Sequence, residues 1–192
     1  MPRTIKVNYK NLETKEFLTG TSLKKISESF SKYYNYPILI GKVDNNMTEL
    51  NEPITRSCSI DFYDRSSGVG NSIYGRTAQF LLIVAIKKVL GNDTEVIIEN
   101  SIDKGFYAKI TNEKINKTII KKIEEKMKEI SKTDYIINKV SVSRFDAIKF
   151  FKKKKQEDKV KVLKYISNSY INLYRIDDIY DYFYGDLAYS TG

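Results

Sequence analysis

The apolar residues of the first 64 positions change their spacing in a fixed order, and this order limits the folds open to the chain. "RTIKVNY" (3–9) alternates apolar and polar residues as a strand does, and "KEFL" (15–18) predicts a second strand. In "LKKISESFSKYY" (23–34) the apolar residues fall at helical spacing, which predicts a helix with one buried face. "ILIGKV" (38–43) and "CSIDFYD" (58–64) then return to strand character. The predicted order is strand, strand, helix, strand, strand.

That order is typical of a ubiquitin-like β-grasp domain, which we predict for residues 1–64. The segment "GTS" (20–22) supplies a helix cap, and Pro37 ends the helix. "RSSGVGNS" (65–72) is rich in Ser and Gly, so we predict a linker over 65–75. Residues 76–192 then form a second α+β domain.

The second domain mixes helical and strand patterns. Its apolar stripe over 112–132 predicts an amphipathic helix, and Ser143 and Asp146 have the spacing of a capping box. The predicted elements are, in chain order, a helix over 77–90, strands over 95–100 and 104–110, the helix over 112–132, a strand over 135–142, a helix opened by 143–146, and an aromatic strand with its turn within 169–192.

Charge and side-chain chemistry narrow the function. Lys and Arg number 33 against 24 Asp and Glu, and the net charge of +9 indicates either an anionic partner or a compositional bias towards Lys, Ile, Asn and Tyr. The chain has no histidine, so the commonest general base and a favoured zinc ligand are both missing. Cys58 is the single cysteine, which predicts a reducing, cytoplasmic location. The longest apolar run, 80–86, is too short to span a bilayer, so no membrane partner is expected.

Two further features each allow two interpretations. The run Lys152 to Lys155 is either an RNA phosphate contact or a solvated helix end. The tyrosines near the end of the chain either stack on a base or pack in the core as strand residues.

"GNSIYGRT" (70–77) differs at one position from the P-loop pattern G-x-x-x-x-G-K-[ST]. A P-loop wraps phosphate with backbone N–H groups and follows a buried parallel strand closely. Here the preceding strand alternates as a half-exposed strand does, and several residues separate it from Gly70. The alternative is a flexible interdomain loop that caps the next helix.

Several strings resemble the N-terminal half of threonyl-tRNA synthetases. "GTSLKKISESF" (20–30) is similar to the start of the helix in that family's β-grasp domain, which is called TGS. "AQFLLIVAIKKVLGNDTEVIIENSIDKGFY" (78–107) is similar to the family's next helix and its "ENGFYY"-type strand. "VSVSRFDAIKFFKKKKQEDKVKVL" (140–163) and "NLYRIDDIYDYFYG" (172–185) continue the resemblance. It implies a TGS domain followed by a domain like the one that hydrolyses mischarged tRNA.

In that family the second domain carries H-x-x-x-H on its opening helix and C-x-x-x-H near its end, and these four side chains line the editing pocket and can bind zinc. The first pair falls on Arg76 and Phe80 of this sequence, and the second on Phe183 and Leu187. Arg at neutral pH offers no lone pair to a metal, and Phe and Leu have none. The resemblance therefore implies a degenerate pocket with no metal and no editing chemistry.

The charged residues beside that pocket carry the remaining site predictions. Arg76 and Thr77 form a candidate anion contact at the start of the predicted helix, where the dipole already favours negative charge. Asp186 is the predicted internal partner of Arg76, and a ligand phosphate or carboxylate is the alternative. Zinc would have to use carboxylates such as Asp178, Asp181 and Asp186, which suit Mg²⁺ or Ca²⁺ better, so no zinc is expected.

Certain bacterial nucleoside kinases, usually called uridine kinases, resemble the synthetases over the same region without these ligands. "YDYFYGDLAYSTG" (180–192) is similar to the segment that joins it to their P-loop kinase domain. This resemblance implies that the chain is the non-catalytic N-terminal region of an ATP-dependent uridine kinase, with Gly192 an artificial boundary. ATP and Mg²⁺ would then bind the kinase domain, and no cofactor is expected in this segment. The alternative is an RNA-binding module derived from the synthetase, with an RNA or a nucleotide as its ligand.

Overall fold

The chain forms two compact α+β units in a computed structural model that describes residues 3–102, 105–111 and 113–192. Unit 1 comprises Met1–Thr77 and Gly185–Tyr189. Unit 2 comprises Ala78–Tyr184 and Ser190–Gly192.

Unit 1 is built on a mixed sheet. Its elements are β1 (Thr4–Tyr9), β2 (Glu13–Leu18), β3 (Thr21–Ser22), α1 (Leu23–Glu28), a 3-10 helix (Ser31–Tyr33), β4 (Ile38–Val43), β5 (Asn46–Thr48), β6 (Pro53–Ile54), β7 (Cys58–Asp64) and the first part of α2 (Gly68–Leu90). Five strands pair in the order β2-β1-β7-β4-β5, and β3 pairs separately with β6. The β1–β7 pair is parallel and the other pairs are antiparallel.

Turn chemistry and alternation set the sheet of unit 1. Lys10 and Asn11, in the turn between β1 and β2, both have positive φ, as do Asp44 and Asn45 between β4 and β5. Two successive positive φ values match the right-handed twist of the flanking strands. Alternate residues of β1 and β7 point into one core, where Tyr9 stacks on Phe30 with ring centroids 4.8 Å apart.

In its described residues, unit 2 combines the rest of α2 with two small sheets and three helices. Its further elements are β8 (Val96–Ile102), β9 (Gly105–Ile110), α3 (Lys117–Thr133), β10 (Asn138–Ser143), α4 (Arg144–Lys153), α5 (Glu157–Tyr165), β11 (Tyr170–Ile176) and β12 (Ile179–Tyr182). All strand pairs are antiparallel, in the orders β8-β9 and β10-β11-β12. Helices α4 and α5 pack on the three-stranded sheet around Phe151 and Leu163, which are fully buried.

Several predicted elements are confirmed. Strands β4 and β7 have the predicted bounds, and Ser143 caps α4 by accepting a hydrogen bond from the Asp146 N–H at 3.1 Å. Lys152 and Lys153 lie in the last turn of α4, and Lys154 pairs with Asp93 at 3.1 Å. The charged run thus ends a helix, where cations complement the C-terminal dipole.

Other boundaries were wrong. Helix α3 begins at Lys117 because Asn116 caps it, its side chain accepting from the Ile119 N–H at 2.9 Å, whereas the stripe predicted a start at 112. Strand β10 begins at Asn138, three residues later than predicted. Residues 104 and 112, which the predicted strand and helix included, lie outside the described part of the chain.

Helix α2 contains the longest apolar run of the chain, and polar residues flank this run on both sides. Among the described residues, no helix combines the length and apolarity needed to cross a bilayer.

Candidate functional site

The junction between β7 and α2 is organised by one buried carboxylate, Asp64, which is 4% exposed. Its side chain accepts hydrogen bonds from the Ser66 hydroxyl and from the Ser66 N–H, the latter at 2.9 Å. Burial alone would raise the pKa of Asp64, but the hydrogen bonds from Ser66, helped by the polar backbone of Tyr36, outweigh burial and hold that pKa below its ordinary value.

Helix α2 begins at Gly68, so the predicted linker over 65–75 and the helix start at 77 were wrong. Ser67 caps the helix, since its hydroxyl accepts from the Gly70 N–H at 3.0 Å. Glycine at position 70 allows the helix to approach β7, because a Cβ there would lie 1.8 Å from the Asp64 carbonyl oxygen. Contacts made by the folded unit, rather than helix propensity, start this helix.

The segment "GNSIYGRT" (70–77) lies wholly within α2. A P-loop needs backbone N–H groups that point at a phosphate, and most N–H groups inside a helix are already bonded to its carbonyls. Neither the P-loop interpretation nor that of a flexible interdomain loop therefore holds.

Arg76 lies about two turns into α2, not at its N-terminus, so the helix dipole gives no reason to expect an anion beside it. Its Nε donates to the backbone carbonyl of Asp186 at 2.9 Å. Arg76 therefore contacts the main chain of Asp186, whereas the expected contact was with the Asp186 carboxylate. Gly185 packs on the guanidinium, since a Cβ on this residue would lie 3.1 Å from the Arg76 Cζ.

Thr77 binds the same segment of unit 1, residues 185–189. Its hydroxyl donates to the Ile73 carbonyl and accepts from the Ala188 N–H, both at 2.8 Å. Leu187 of this segment is 3% exposed and apolar. Both residues of the predicted anion contact, Arg76 and Thr77, are thus engaged in holding 185–189 within unit 1.

Phe80 and Phe183 contact each other in unit 2. Their ring centroids are 5.7 Å apart at an interplanar angle of 67°, and Phe80 is fully buried. Edge-to-face rings of this kind pack as core residues and provide no lone pair for a metal.

A buried ion pair beside Phe183 was missed by the sequence analysis. Lys159 of α5 lies 2.9 Å from the Asp181 carboxylate, and the two side chains are 17% and 3% exposed. The Lys159 ammonium also lies 5.6 Å from the centroid of the Phe183 ring. Burial alone would lower the pKa of Lys159, but the attraction of Asp181 outweighs it and raises that pKa.

A sequence signal for this pair existed. Gln156, Lys159, Val160 and Leu163 stand at i, i+3, i+4 and i+7, so Lys159 shares the buried face of α5. Asp181 occupies an inward position of β12, where the burial pattern alternates. A charge on each of two inward faces predicts a pair.

Lys87, which is 6% exposed, is a second buried cation of unit 2. Its ammonium donates to the carbonyls of Asn92 and Thr94 at 3.0 and 2.9 Å, and burial lowers its pKa. Lys87 and Gln156 both line a cavity of about 20 Å³, which has room for about one water. The Gln156 Oε1 atom is buried and has no hydrogen-bond partner among the described residues.

The three carboxylates considered as metal ligands have other contacts. Asp178 accepts from the Asn92 side chain at 2.5 Å, Asp181 pairs with Lys159, and Asp186 offers its carbonyl to Arg76. In the described ranges, His, Cys, Asp and Glu side chains form no group of three suited to a metal.

Comparison with known proteins relates the chain to one class of enzyme. It is 29% identical over 190 residues to the threonine–tRNA ligase of Acetivibrio thermocellus, and 30% identical over 190 residues to that of Clostridium kluyveri. In both cases the match covers 98% of this chain and 30% of the ligase. The ligase of Caldanaerobacter subterraneus is 29% identical over 180 residues, which are 93% of this chain and 28% of that protein. No family model matches.

The chain is therefore similar, over nearly its whole length, to a segment of threonyl-tRNA synthetases, and it spans about a third of their length. The uridine kinase interpretation gains no support from these relatives and stays a prediction, as does the cytoplasmic location.

Proposed function

We propose that this chain is an RNA-binding module related to threonyl-tRNA synthetases and that it lacks the editing reaction. The observation that carries the proposal is the similarity to threonine–tRNA ligases over 98% of the chain. The name of these relatives includes tRNA, so RNA is the ligand class that the similarity favours.

The proposal includes a finer fold assignment. Unit 1 is a TGS-like β-grasp domain, an assignment supported by the parallel pairing of β1 with β7 at the centre of its sheet. Unit 2 corresponds to the editing-like domain. Its Phe80 and Phe183, together with Arg76 and Leu187 of unit 1, stand where the family has His and Cys, so the ligands for a catalytic metal are missing.

A basic stripe on α3 supports RNA as the ligand. At 100° per residue, Lys117, Lys121, Lys128 and Lys132 fall within about 60° of one another on the helix. All four are exposed, on the side opposite the buried Ile123 and Ile130. The stripe is about 22 Å long and suits a row of phosphates, with Glu124 and Glu125 at its flanks.

A salt titration tests RNA binding. We expect the chain to bind unmodified tRNA, with an association constant that falls linearly with salt on a log–log plot. Lys121→Glu and Lys128→Glu should each weaken binding and reduce the slope by about 1 or more. Lys161→Glu is the matched control, because Lys161 is an exposed helical lysine of α5 outside the stripe. Failure of the parent chain to bind tRNA at low salt would refute the proposal.

The loss of editing is tested separately. Purified protein should contain no stoichiometric zinc by elemental analysis, and mischarged seryl-tRNA should be hydrolysed no faster than in buffer. Stoichiometric zinc or measurable deacylation would show that other side chains have replaced the missing ligands.

A further inference from the structure

Two exposed tyrosines of unit 1 lie close to one arginine. The Arg65 Cζ lies 4.2 Å from the centroid of the Tyr36 ring and 5.5 Å from that of the Tyr74 ring. Both distances fall within the range of about 6 Å over which a guanidinium interacts with an aromatic face. Tyr36 and Tyr74 remain 42% and 47% exposed, and Arg65 is exposed as well.

These three side chains come from different parts of the chain, and Asp64 holds their backbones together. Tyr36 lies two residues before Ile38, which pairs with Asp64 between β4 and β7. Arg65 follows Asp64 directly, and Tyr74 lies on α2, whose start packs on the Asp64 carbonyl through Gly70. The group is therefore fixed by buried contacts, unlike an isolated arginine that happens to cover a surface ring.

We infer that Tyr36, Arg65 and Tyr74 form a stacking platform for unpaired bases of RNA. This inference rests on the proposed function and names a contact surface for it. Every base has a π-face, and single-stranded nucleic acid is bound by aromatic rings and guanidinium planes on which bases stack. A platform fixed before binding has less conformational freedom to lose when the base arrives.

Bases inside a duplex cannot reach such a platform, because neighbouring base pairs cover both of their faces. A peptide could also contact exposed tyrosines, but the planar cation close to both rings favours a flat, electron-rich ligand such as a base. The chain therefore offers two kinds of RNA contact, phosphates along α3 and base faces at this platform.

Fluorescence anisotropy with the complete chain tests the platform. The probe is a labelled single-stranded oligoribonucleotide of about ten residues, measured beside a duplex of the same sequence. Tyr36→Ala and Tyr74→Ala should each weaken binding of the single strand by about tenfold. Binding of the duplex should not change.

Conservative variants separate stacking from charge and from folding. Tyr36→Phe and Tyr74→Phe keep the ring and should bind like the parent chain. Arg65→Lys keeps the charge but loses the plane, so it should weaken single-strand binding while leaving the salt slope unchanged. Tyr165→Ala, which removes a tyrosine that is 91% exposed in unit 2, is the control.

A fluorescent variant reports the contact directly. The chain has no tryptophan, so Tyr74→Trp introduces a single indole into the platform. Its emission should be quenched when the oligonucleotide binds. Quenching and the anisotropy change should saturate at the same oligonucleotide concentration. Binding without quenching would place the base elsewhere and overturn the inference.

The results distinguish this inference from the proposed function. If the parent chain binds RNA but both tyrosine-to-alanine variants match Tyr165→Ala, the platform is refuted and the proposed function stands. If the parent chain binds neither tRNA nor the oligonucleotide, the proposed function fails, and the platform fails with it. A loss of duplex binding equal to the loss of single-strand binding would also refute stacking.

Discussion

A Cβ atom on Gly70 would lie 1.8 Å from the main-chain carbonyl oxygen of Asp64, so α2 begins in direct contact with the end of β7. Backbone atoms on both sides of this contact leave no flexible side chain to move away. The position therefore accepts glycine alone.

Gly70→Ala should lower the free energy of unfolding by about 3 kcal/mol or more, because α2 or β7 must shift to admit the methyl group. Gly75→Ala in the same helix is the control. A Cβ there meets nothing within 4 Å, so the change should stabilise the protein by about 0.5–1 kcal/mol. Urea denaturation measures both values, and equal effects would contradict the close contact.

The buried pair of Lys159 and Asp181 predicts a large effect from removing one partner. Lys159→Met leaves the Asp181 carboxylate buried without its counter-charge and should cost about 3–5 kcal/mol of unfolding free energy. The double variant Lys159→Met with Asp181→Leu should recover much of the loss, because no uncompensated charge remains. A double variant as unstable as Lys159→Met would mean that packing, not charge, dominates at this position.

The pair of Lys159 and Asp181 also makes the stability of the protein fall at alkaline pH. The pKa of Lys159 is raised above 10.5, its value in the unfolded chain, so its stabilisation is complete below that pH. It should be lost as the pH rises through the folded-state pKa. Thermal melts of the parent and of Lys159→Met should therefore converge at strongly alkaline pH.

Arg76→Ala should cost about 1.5–3 kcal/mol of stability, since it removes a hydrogen bond from a charged group to the Asp186 carbonyl. Because Arg76 is already engaged, a mononucleotide should change the melting temperatures of the parent and of the variant equally. A ligand-dependent rise in the parent alone would instead identify Arg76 as an anion contact.

Gly185→Ala tests the other half of this contact. Gly185 has a φ of +110°, and a Cβ there would press on the guanidinium of Arg76. Gly91→Ala is matched, because its φ is +109° but nothing lies within 4 Å. Both should suffer backbone strain of about 1–2 kcal/mol. A larger loss at Gly185, measured by urea denaturation, isolates the Arg76 contact.

Asp64 predicts sensitivity to acid. Its pKa in the folded state is lowered from 3.8, so its stabilisation is complete above that pH and is lost as the pH falls through the folded value. Asp64→Asn should lower the free energy of unfolding by about 2 kcal/mol at neutral pH. The difference between the parent and the variant should become smaller towards about pH 3. Glu16→Gln, which affects only an exposed pair with Lys6, should show little effect at either pH.

Sequence patterns predicted those elements whose signal is local. Strands β4 and β7 alternate along their own length, and Ser143 and Asp146 form a cap within one turn. The start of α2 could not be predicted in this way, because Gly68, Gly70 and Gly75 are weak helix formers. That start depends on Asp64 and on Ser67 as they are placed by the folded sheet.

The candidate site was predictable only in part. The resemblance drew attention to Arg76 and Asp186, but not to the main-chain carbonyl as the acceptor. The pairing of Lys159 with Asp181 joins a helix and a strand, so it required the fold, although the inward position of each charge was visible in the sequence.

Unit 1 contains two segments that the ribosome synthesises at widely separated times. Thr77 and Arg76 bind the segment 185–189, and Tyr189 packs on the core formed by the first 62 residues. A ribosome must therefore make all of unit 2 up to Tyr184 before the residues that complete unit 1 emerge. Unit 1 therefore stays incomplete while nearly all of unit 2 is made, and until then its surface that packs against Ala188 and Tyr189 is open to other chains.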